Sequence, residues 1–258
     1  MAEQDGSRAE SPPPLERFEV EDDDLRAGLA GLATLGSAAL PLEDLLTRVA
    51  GYAVRVIPGA DGAGLTLLEE GRSDTIVATA PFVREVDDVQ YSIGEGPCIS
   101  AAAEARTVRS GSIGGDPRWR RFGGRIARLG VHSVVSLPLI SPQGVVGAMN
   151  VYAHAKDAFD ERAAELGELF AAPAAIAVQN AQILAQTRRV VVQLQSALDT
   201  RMVVERAVGI LMSRSGVDED EALQRLRALS QHEHTKLVAV AQGIVTEAVR
   251  RARARQAD

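Results

Sequence analysis

The 258-residue sequence has a single cysteine, Cys98, a single tryptophan, Trp119, and only 3% aromatic residues. One thiol excludes an intramolecular disulfide and any cysteine-rich zinc or iron–sulfur centre. With so few rings, the core must rest on Ala, Val, Leu and Ile. No run approaches the ~20 consecutive apolar residues of a membrane-spanning helix. The opening MAEQDGSRAESPPP lacks the basic and apolar regions of a secretory signal, so the expected location is cytoplasmic and away from the membrane. Four histidines (His132, His154, His232 and His234) are scattered or two apart, which gives no metal-ligand pattern, and no cofactor is expected. Gly94-Glu-Gly96 is too short for a dinucleotide or phosphate loop. What remains is an ordinary soluble composition, 46% hydrophobic and 24% charged, in a chain long enough for two domains.

The net charge of −7 divides unevenly. Residues 188–258 carry 12 Lys/Arg against 9 Asp/Glu, a net +3, which leaves −10 on the rest of the chain. An acidic body followed by a mildly basic module implies different partners for the two parts. Residues 1–24 hold nine acids and two arginines around Pro12-Pro13-Pro14, and are expected to form a disordered acidic tail. Leu25, Leu29 and Leu32, then Leu42, Leu45, Leu46 and Val49, recur at helical spacing on either side of Pro41 and predict two helices. Residues 63–68 and 75–79 read as strands joined through Glu70-Gly71. Residues 132–140 and 145–152 read as a hairpin around Ser141-Pro-Gln-Gly144. Short helices over 99–106 and before Gly130 lie between these pairs. The pattern predicts an α+β domain over 25–180, an antiparallel sheet covered by helices.

From Phe159 onward the chain reads as helical, with Asp160 as the N-cap. Ile176, Asn180, Ile183, Thr187, Val190, Leu194 and Ala197 alternate at spacings of four and three, the seam of a coiled coil. An Asn at an a-type position is a register device in paired helices. A linking coiled-coil helix over 181–200, and a homodimer, are therefore expected. Ser215-Gly216 stops this helix, Asp218 opens a second with a capping box to Glu221, and Thr235 is the predicted cap of a third. Three such helices close a small bundle over 190–247, followed by a basic tail over 248–258.

Two stretches resemble known families. Leu194-Gln-Ser-Ala-Leu-Asp-Thr-Arg201, Val203-Val-Glu-Arg-Ala207, Gly209-Ile-Leu-Met212, Glu221-Ala222, Leu226-Arg227, Leu229-Ser230 and Lys236-Leu237 together resemble the ANTAR domain. Tyr91-Ser-Ile-Gly-Glu-Gly-Pro-Cys98, Asp116-Pro-Arg-Trp119, Gly130-Val131, Ser136-Leu-Pro-Leu139, Gly147-Ala-Met-Asn150 and Ala158-Phe159 resemble a GAF domain, spelled as in actinobacterial regulators that carry both modules. The first resemblance implies transcription antitermination through binding of paired RNA hairpins in a leader transcript. The second implies a sensor with a small-molecule pocket between sheet and helices.

RNA is read through cations, hydrogen-bonding groups and stacking. The candidate RNA-binding residues are Arg201, Arg206, Arg214, Arg227, Ser230 and Lys236. The C-terminal module has no Phe, Tyr or Trp, and its modest charge implies a small, salt-sensitive contact set. Lys236 opposes the dipole at a helix start, a local penalty that favours a functional role. Gly209 inside a helix costs ~1 kcal/mol relative to Ala. Close helix packing is its leading explanation and close approach of RNA the second. Arg250 to Arg255 suit a helix C-terminus without any partner. Val208 stands where the ANTAR family usually carries a lysine, which would favour a competing class, a protein-interaction module without RNA binding. Tyr91, Cys98, Trp119 and Phe122 are the candidate walls of the sensor pocket. Some GAF proteins are methionine-sulfoxide reductases with a cysteine nucleophile, but that chemistry needs a second thiol. Cys98 is therefore expected to be a small buried residue in a non-enzyme.

Overall fold

The computed structural model describes residues 14–35, 40–69 and 72–257. The chain divides into two compact units, Met1–Ala185 and Gln186–Asp258. In the first, α1 (Pro14–Leu35) and α2 (Leu42–Val56) precede a five-stranded sheet built from β1 (Gly62–Glu69), β2 (Arg72–Ala78), β3 (Val108–Ser110), β4 (Ser133–Ser141) and β5 (Gly144–Ala153). The strand order is β2-β1-β5-β4-β3, and every neighbouring pair is antiparallel. Between β2 and β4 the chain forms α3 (Pro81–Ile93), α4 (Pro97–Glu104), β3 and α5 (Arg120–Ile126). A long helix, α6 (Glu161–Ser215), follows β5. The expected α+β class with an antiparallel sheet, a long helix and a C-terminal helical bundle is the one observed.

The side-chain period of two sorts the strands between two cores. Leu65, Leu67, Val135, Leu137, Met149 and Val151 pack with Leu46, Val49 and Ala53 of α2 and with Leu166, Phe170 and Ala174 of α6. Val134 and Tyr152 face the other way, toward Val86, Ala101, Trp119, Phe122 and Ile126. The predicted β4–β5 hairpin is present, with the Ser141 hydroxyl donating to Gly144 O at 3.1 Å and accepting from Gln143 N at 3.2 Å. The predicted pairing of β1 with β2 is also present, with Glu70 and Gly71 outside the described residues. At the start of α6, Asp160 Oδ1 accepts from Ala163 N at 2.8 Å, as a cap should.

The expected disordered tail over 1–24 is corrected by α1, which is helical from Pro14; residues 1–13 lie outside the described residues. Glu21, Asp22 and Asp23 there are matched by cations. Arg17 Nε donates to Glu21 Oε1 at 2.7 Å and Arg17 meets Asp160 at 3.3 Å, while Arg162 of α6 pairs with Asp22. Composition counts the acids of residues 14–24 but not the guanidiniums that tertiary structure brings to them. Two elements have no counterpart in the sequence reading, α3 and the three-residue β3. In α3 the inward positions are Val83, Val86, Asp87 and Gln90, so polar residues interrupt the apolar periodicity that marks a helix.

In the second unit the end of α6, α7 (Glu219–His232) and α8 (Leu237–Ala257) surround Ala207, Val208, Ala222, Leu226, Val240 and Ala241. Asp218 Oδ1 accepts from Glu221 N at 2.9 Å, as its capping role requires. Thr235 does not cap α8, which starts at Leu237. Its hydroxyl donates to Glu233 O at 3.0 Å instead, and the Lys236 carbonyl accepts the first turn's bonds from Ala239 and Val240. The expected basic tail over 248–258 is helical to Ala257.

Helix α1 reaches the core through a glycine. A Cβ at Gly28 would lie 2.5 Å from Val56 Cγ2 and 3.3 Å from Phe170 Cε2. Gly28→Ala is therefore expected to destabilise the first unit by about 1–3 kcal/mol, against the helix propensity of alanine. Adding Val56→Ala should return most of that loss, as read by thermal unfolding of the single and double variants.

Candidate functional site

In the first unit the site grows from α3. Gly94, at φ +71°, ends α3 in the left-handed conformation that favours glycine. Pro97 then opens α4, and Gln90 Oε1 accepts from Cys98 N at 2.9 Å. A Cβ at Gly96 would fall 2.3 Å from that same Gln90 oxygen, so the side chain of Gln90 needs the glycine. Glu95 Oε1 accepts from Arg121 N at 3.0 Å and from Phe122 N at 3.4 Å, which ties the loop to α5. The Asp116-Pro-Arg-Trp119 stretch is equally architectural. The Asp116 carboxylate accepts from Arg118 N at 3.1 Å, Nε at 2.9 Å and Nη2 at 2.6 Å. These bonds hold its pKa down at about 2. The guanidinium in turn stacks over Trp119, 4.2 Å from the ring centroid.

A chain of buried polar groups runs from α3 to the sheet. Asp87 Oδ1 accepts from Tyr152 Oη at 2.6 Å, from Asn150 Nδ2 at 3.2 Å and from Gln90 Nε2 at 3.4 Å. Ser136 Oγ donates to Asn150 Oδ1 at 2.9 Å. Beside this cluster the Tyr91 hydroxyl bonds Thr66 Oγ1 and lies 3.3 Å from Cys98 Sγ. Thr66, Tyr91 and Cys98 form the polar side of a cavity of about 260 Å³, otherwise lined by Leu68, Ile99, Ala102, Ala103 and Ala148. Burial, with the Asp87 carboxyl nearby, pushes the Cys98 thiol up to about 11 and raises the Tyr91 and Tyr152 phenols further. The polar wall is thus neutral near pH 7.

Of the four expected pocket residues, the structure brings Tyr91 and Cys98 to the cavity. Trp119 and Phe122 are not on its wall. They are buried at 3% and 0% exposure in the core below α5, and Trp119 Nε1 donates to Ser100 Oγ at 3.0 Å. Large rings fill cores as readily as pockets, and sequence position alone does not separate the two uses. The residues that sequence reasoning missed, Asp87, Gln90, Thr66 and Asn150, sit on a helix and strands where their inward direction is set by period. A polar residue at an apolar position of α3 was the available signal. Among the described residues no cluster of His, Cys, Asp or Glu could hold a metal ion.

In the second unit the cations fall into two groups. Arg201 pairs with Glu205 at 2.6 Å, Arg225 with Glu221 at 2.6 Å, and Arg250 and Arg251 with Glu247 at 2.7 and 2.5 Å. Arg188, Arg189, Arg206, Arg214, Arg227, Lys236, Arg253 and Arg255 are exposed and form no ion pair among the described residues. Arg206 and Arg214 come together on one groove of about 470 Å³, with Gly209, Ile210 and Ser213 of α6 and Val245 and Ala248 of α8. Arg201 and Arg227 are not on its walls. Ser230 Oγ donates to Thr235 O at 2.6 Å, and Thr235 N donates back to Ser230 O at 3.1 Å. This serine therefore closes the α7–α8 turn that carries Lys236. Val208 is 6% exposed in the bundle core. At this position valine packs, and no surface cation is lost by it. The packing explanation for Gly209 is also overturned: the residue is exposed, and a Cβ there would meet nothing within 4 Å.

Cys98 gives a pH-dependent test. Iodoacetamide labelling of the folded chain should remain slow at pH 9, where an ordinary thiol of pKa about 8.5 is mostly thiolate. Because folding raises this pKa, the thiol's contribution to stability is intact below about pH 8.5 and lost as pH rises toward 11. Cys98→Ala should flatten the fall in denaturation midpoint across that window.

Comparisons with known proteins agree with this architecture. The sequence matches the GAF domain over residues 39–179 and the ANTAR domain over residues 192–245. No curated protein matches the chain. Among solved structures, the GAF domain of a phosphoenolpyruvate-protein phosphotransferase from Coxiella burnetii is similar at 16% identity and a TM-score of 0.50, covering 64% of this chain and 98% of that one. A free methionine-R-sulfoxide reductase from Neisseria meningitidis, solved with its substrate, is similar at 15% identity and a TM-score of 0.49, covering 70% and 99%. At such identity the likeness to the first is one of fold. With more than half of its length matched by one family, the chain belongs to the GAF domain family and joins that domain to a C-terminal ANTAR domain, the make-up of a regulator with a sensor domain.

Proposed function

We propose that this chain is a cytoplasmic, homodimeric transcription regulator that binds hairpin RNA through its ANTAR domain and thereby causes antitermination under control of its GAF domain. The observation that carries this reading is the division among the second unit's arginines. In a matched ANTAR domain, Arg206 and Arg214 stay exposed and free of carboxylates on one groove, while Arg201, Arg225, Arg250 and Arg251 pair internally. Phosphates supply the charge that such guanidiniums lack. The competing protein-interaction reading loses its motive, because Val208 belongs to the core.

Dimerisation is supported by the face of α6 that carries the predicted seam. Val190 and Leu194 are 48% and 61% exposed, and Val191 and Leu198 beside them 58% and 57%. An exposed apolar stripe at heptad spacing is the surface that a second copy covers. In such a dimer the pairing of α6 would set the spacing of two RNA-binding bundles, and a ligand in the GAF domain would bias that pairing. The cavity favours a neutral, mostly apolar ligand with one hydrogen-bonding group, since its polar wall is a hydroxyl, a phenol and a thiol. A lone, buried thiol held protonated supports a sensory rather than a catalytic use of Cys98.

Selection of hairpins from a randomised-loop RNA pool against the full chain tests the central reading. The expected complex weakens about 10²-fold between 50 and 200 mM salt, the slope for about four phosphate contacts, and Lys236→Ala weakens it further with the fold intact. Absence of retained RNA at every salt concentration would remove the proposal. Sedimentation should give twice the 27.3 kDa chain mass, and Leu194→Glu should shift it to the monomer. A neutral ligand should shift the emission of Trp119, whose partner Ser100 lies on the cavity-lining helix α4.

A further inference from the structure

We infer that the groove between the end of α6 and α8 holds the sugar–phosphate backbone of the bound RNA, with Gly209 as its point of closest approach. The inference rests on the RNA-binding reading above and adds where, and how closely, the polymer lies. At 100° and 1.5 Å per residue, Arg206, Gly209 and Ser213 fall within an arc of about 60° on α6. Arg206 stands about 4.5 Å before the glycine along the axis and Arg214 about 7.5 Å beyond it. Arg214 lies about 140° around the helix from Gly209, so the two cations reach the groove from different sides of the bare backbone at the glycine.

Nothing inside the protein explains that bare backbone. Gly209 is exposed, its φ is not positive, and a Cβ there would touch nothing within 4 Å. Glycine nevertheless weakens a helix interior relative to alanine. Gly51 and Gly243 share the open space, so the space alone marks no site. Gly209 differs from them in lying on the groove between two guanidiniums that no carboxylate occupies. The nearby acids are already engaged, Glu205 by Arg201 and Glu247 by Arg250 and Arg251. No acidic side chain lines the groove, and its apolar part is Ile210, Val245 and Ala248. An aromatic-anchored protein partner would find no deep pocket there. A phosphodiester chain would find two cations and a hydroxyl, Ser213, with no side chain at Gly209 to hold it off the helix.

The test uses the full chain and the hairpin RNA recovered by the selection above. Gly209→Ala is expected to slow amide exchange over residues 205–215 and raise the unfolding temperature of the C-terminal helices by about 4 °C, yet weaken RNA binding five- to tenfold. Gly243→Ala should give the same stabilisation with binding within twofold of wild type. Arg206→Ala and Arg214→Ala should each weaken binding about tenfold and lower the salt slope by about one. Because the glycine variant is the more stable protein, lost affinity cannot come from unfolding. Wild-type affinity in Gly209→Ala, or an unchanged slope in both arginine variants, overturns the inference while leaving RNA binding in place. A wild-type chain that retains no RNA overturns the broader reading instead.

Discussion

A carboxyl group taken fully out of water must find its hydrogen bonds inside the protein, and Asp87 finds them across two elements. Its Oδ1 receives donors from Tyr152 and Asn150 on β5 and from Gln90 one turn further along α3. Leaving such a group unsatisfied costs several kcal/mol, so the bonds fix α3 against the sheet in one rotation and one register. The rest of the sensor site follows from that placement. Gln90, held by Asp87 on one side, offers its carbonyl oxygen to Cys98 N and sets where α4 begins. Tyr91, the next residue, is turned toward Thr66 and the thiol. The cavity is the space these placements leave between α3, α4 and β1.

The same constraint gives the cavity its chemistry. Burial keeps the thiol and both phenols protonated, so a site built around polar atoms presents no charge of its own from that wall. A fold by itself carries no reaction with it. The site's chemistry lies in the groups on the wall, Thr66, Tyr91 and Cys98, in a chain with one thiol and no second to resolve an oxidised sulfur.

In the C-terminal unit charge is organised by pairing rather than by amount. Exposed ion pairs such as Arg201–Glu205 contribute little stability. They do decide which guanidiniums remain open to a partner. A module with a net charge of only +3 can thus present a local cationic site, because Arg201, Arg225, Arg250 and Arg251 are engaged by carboxylates while Arg206 and Arg214 stay unpaired on one groove.

Much of the fold was legible from local chemistry. Alternating apolar residues around Ser141-Pro-Gln-Gly144 specify a hairpin, and Asp160 and Asp218 specify helix starts, because those signals act over a few residues. The family spellings were legible too, and the structure shows their physical content: Gly96 leaves room for Gln90, and Asp116 orients the Arg118 that covers Trp119. Long-range pairing decided the rest. Whether the acids of residues 17–24 repel or dock depended on where Arg162 lies, 140 positions from Asp22. Whether Trp119 walls a pocket or fills a core depended on which side of α4 it meets, and whether Val208 is a lost cation or a packed side chain depended on α7 and α8 closing over it. Sequence alone fixed periods, caps and turns, since each is set by neighbours along the chain. Only the tertiary structure could assign each polar or charged group its partner, since electrostatic and hydrogen-bonding choices are made across space.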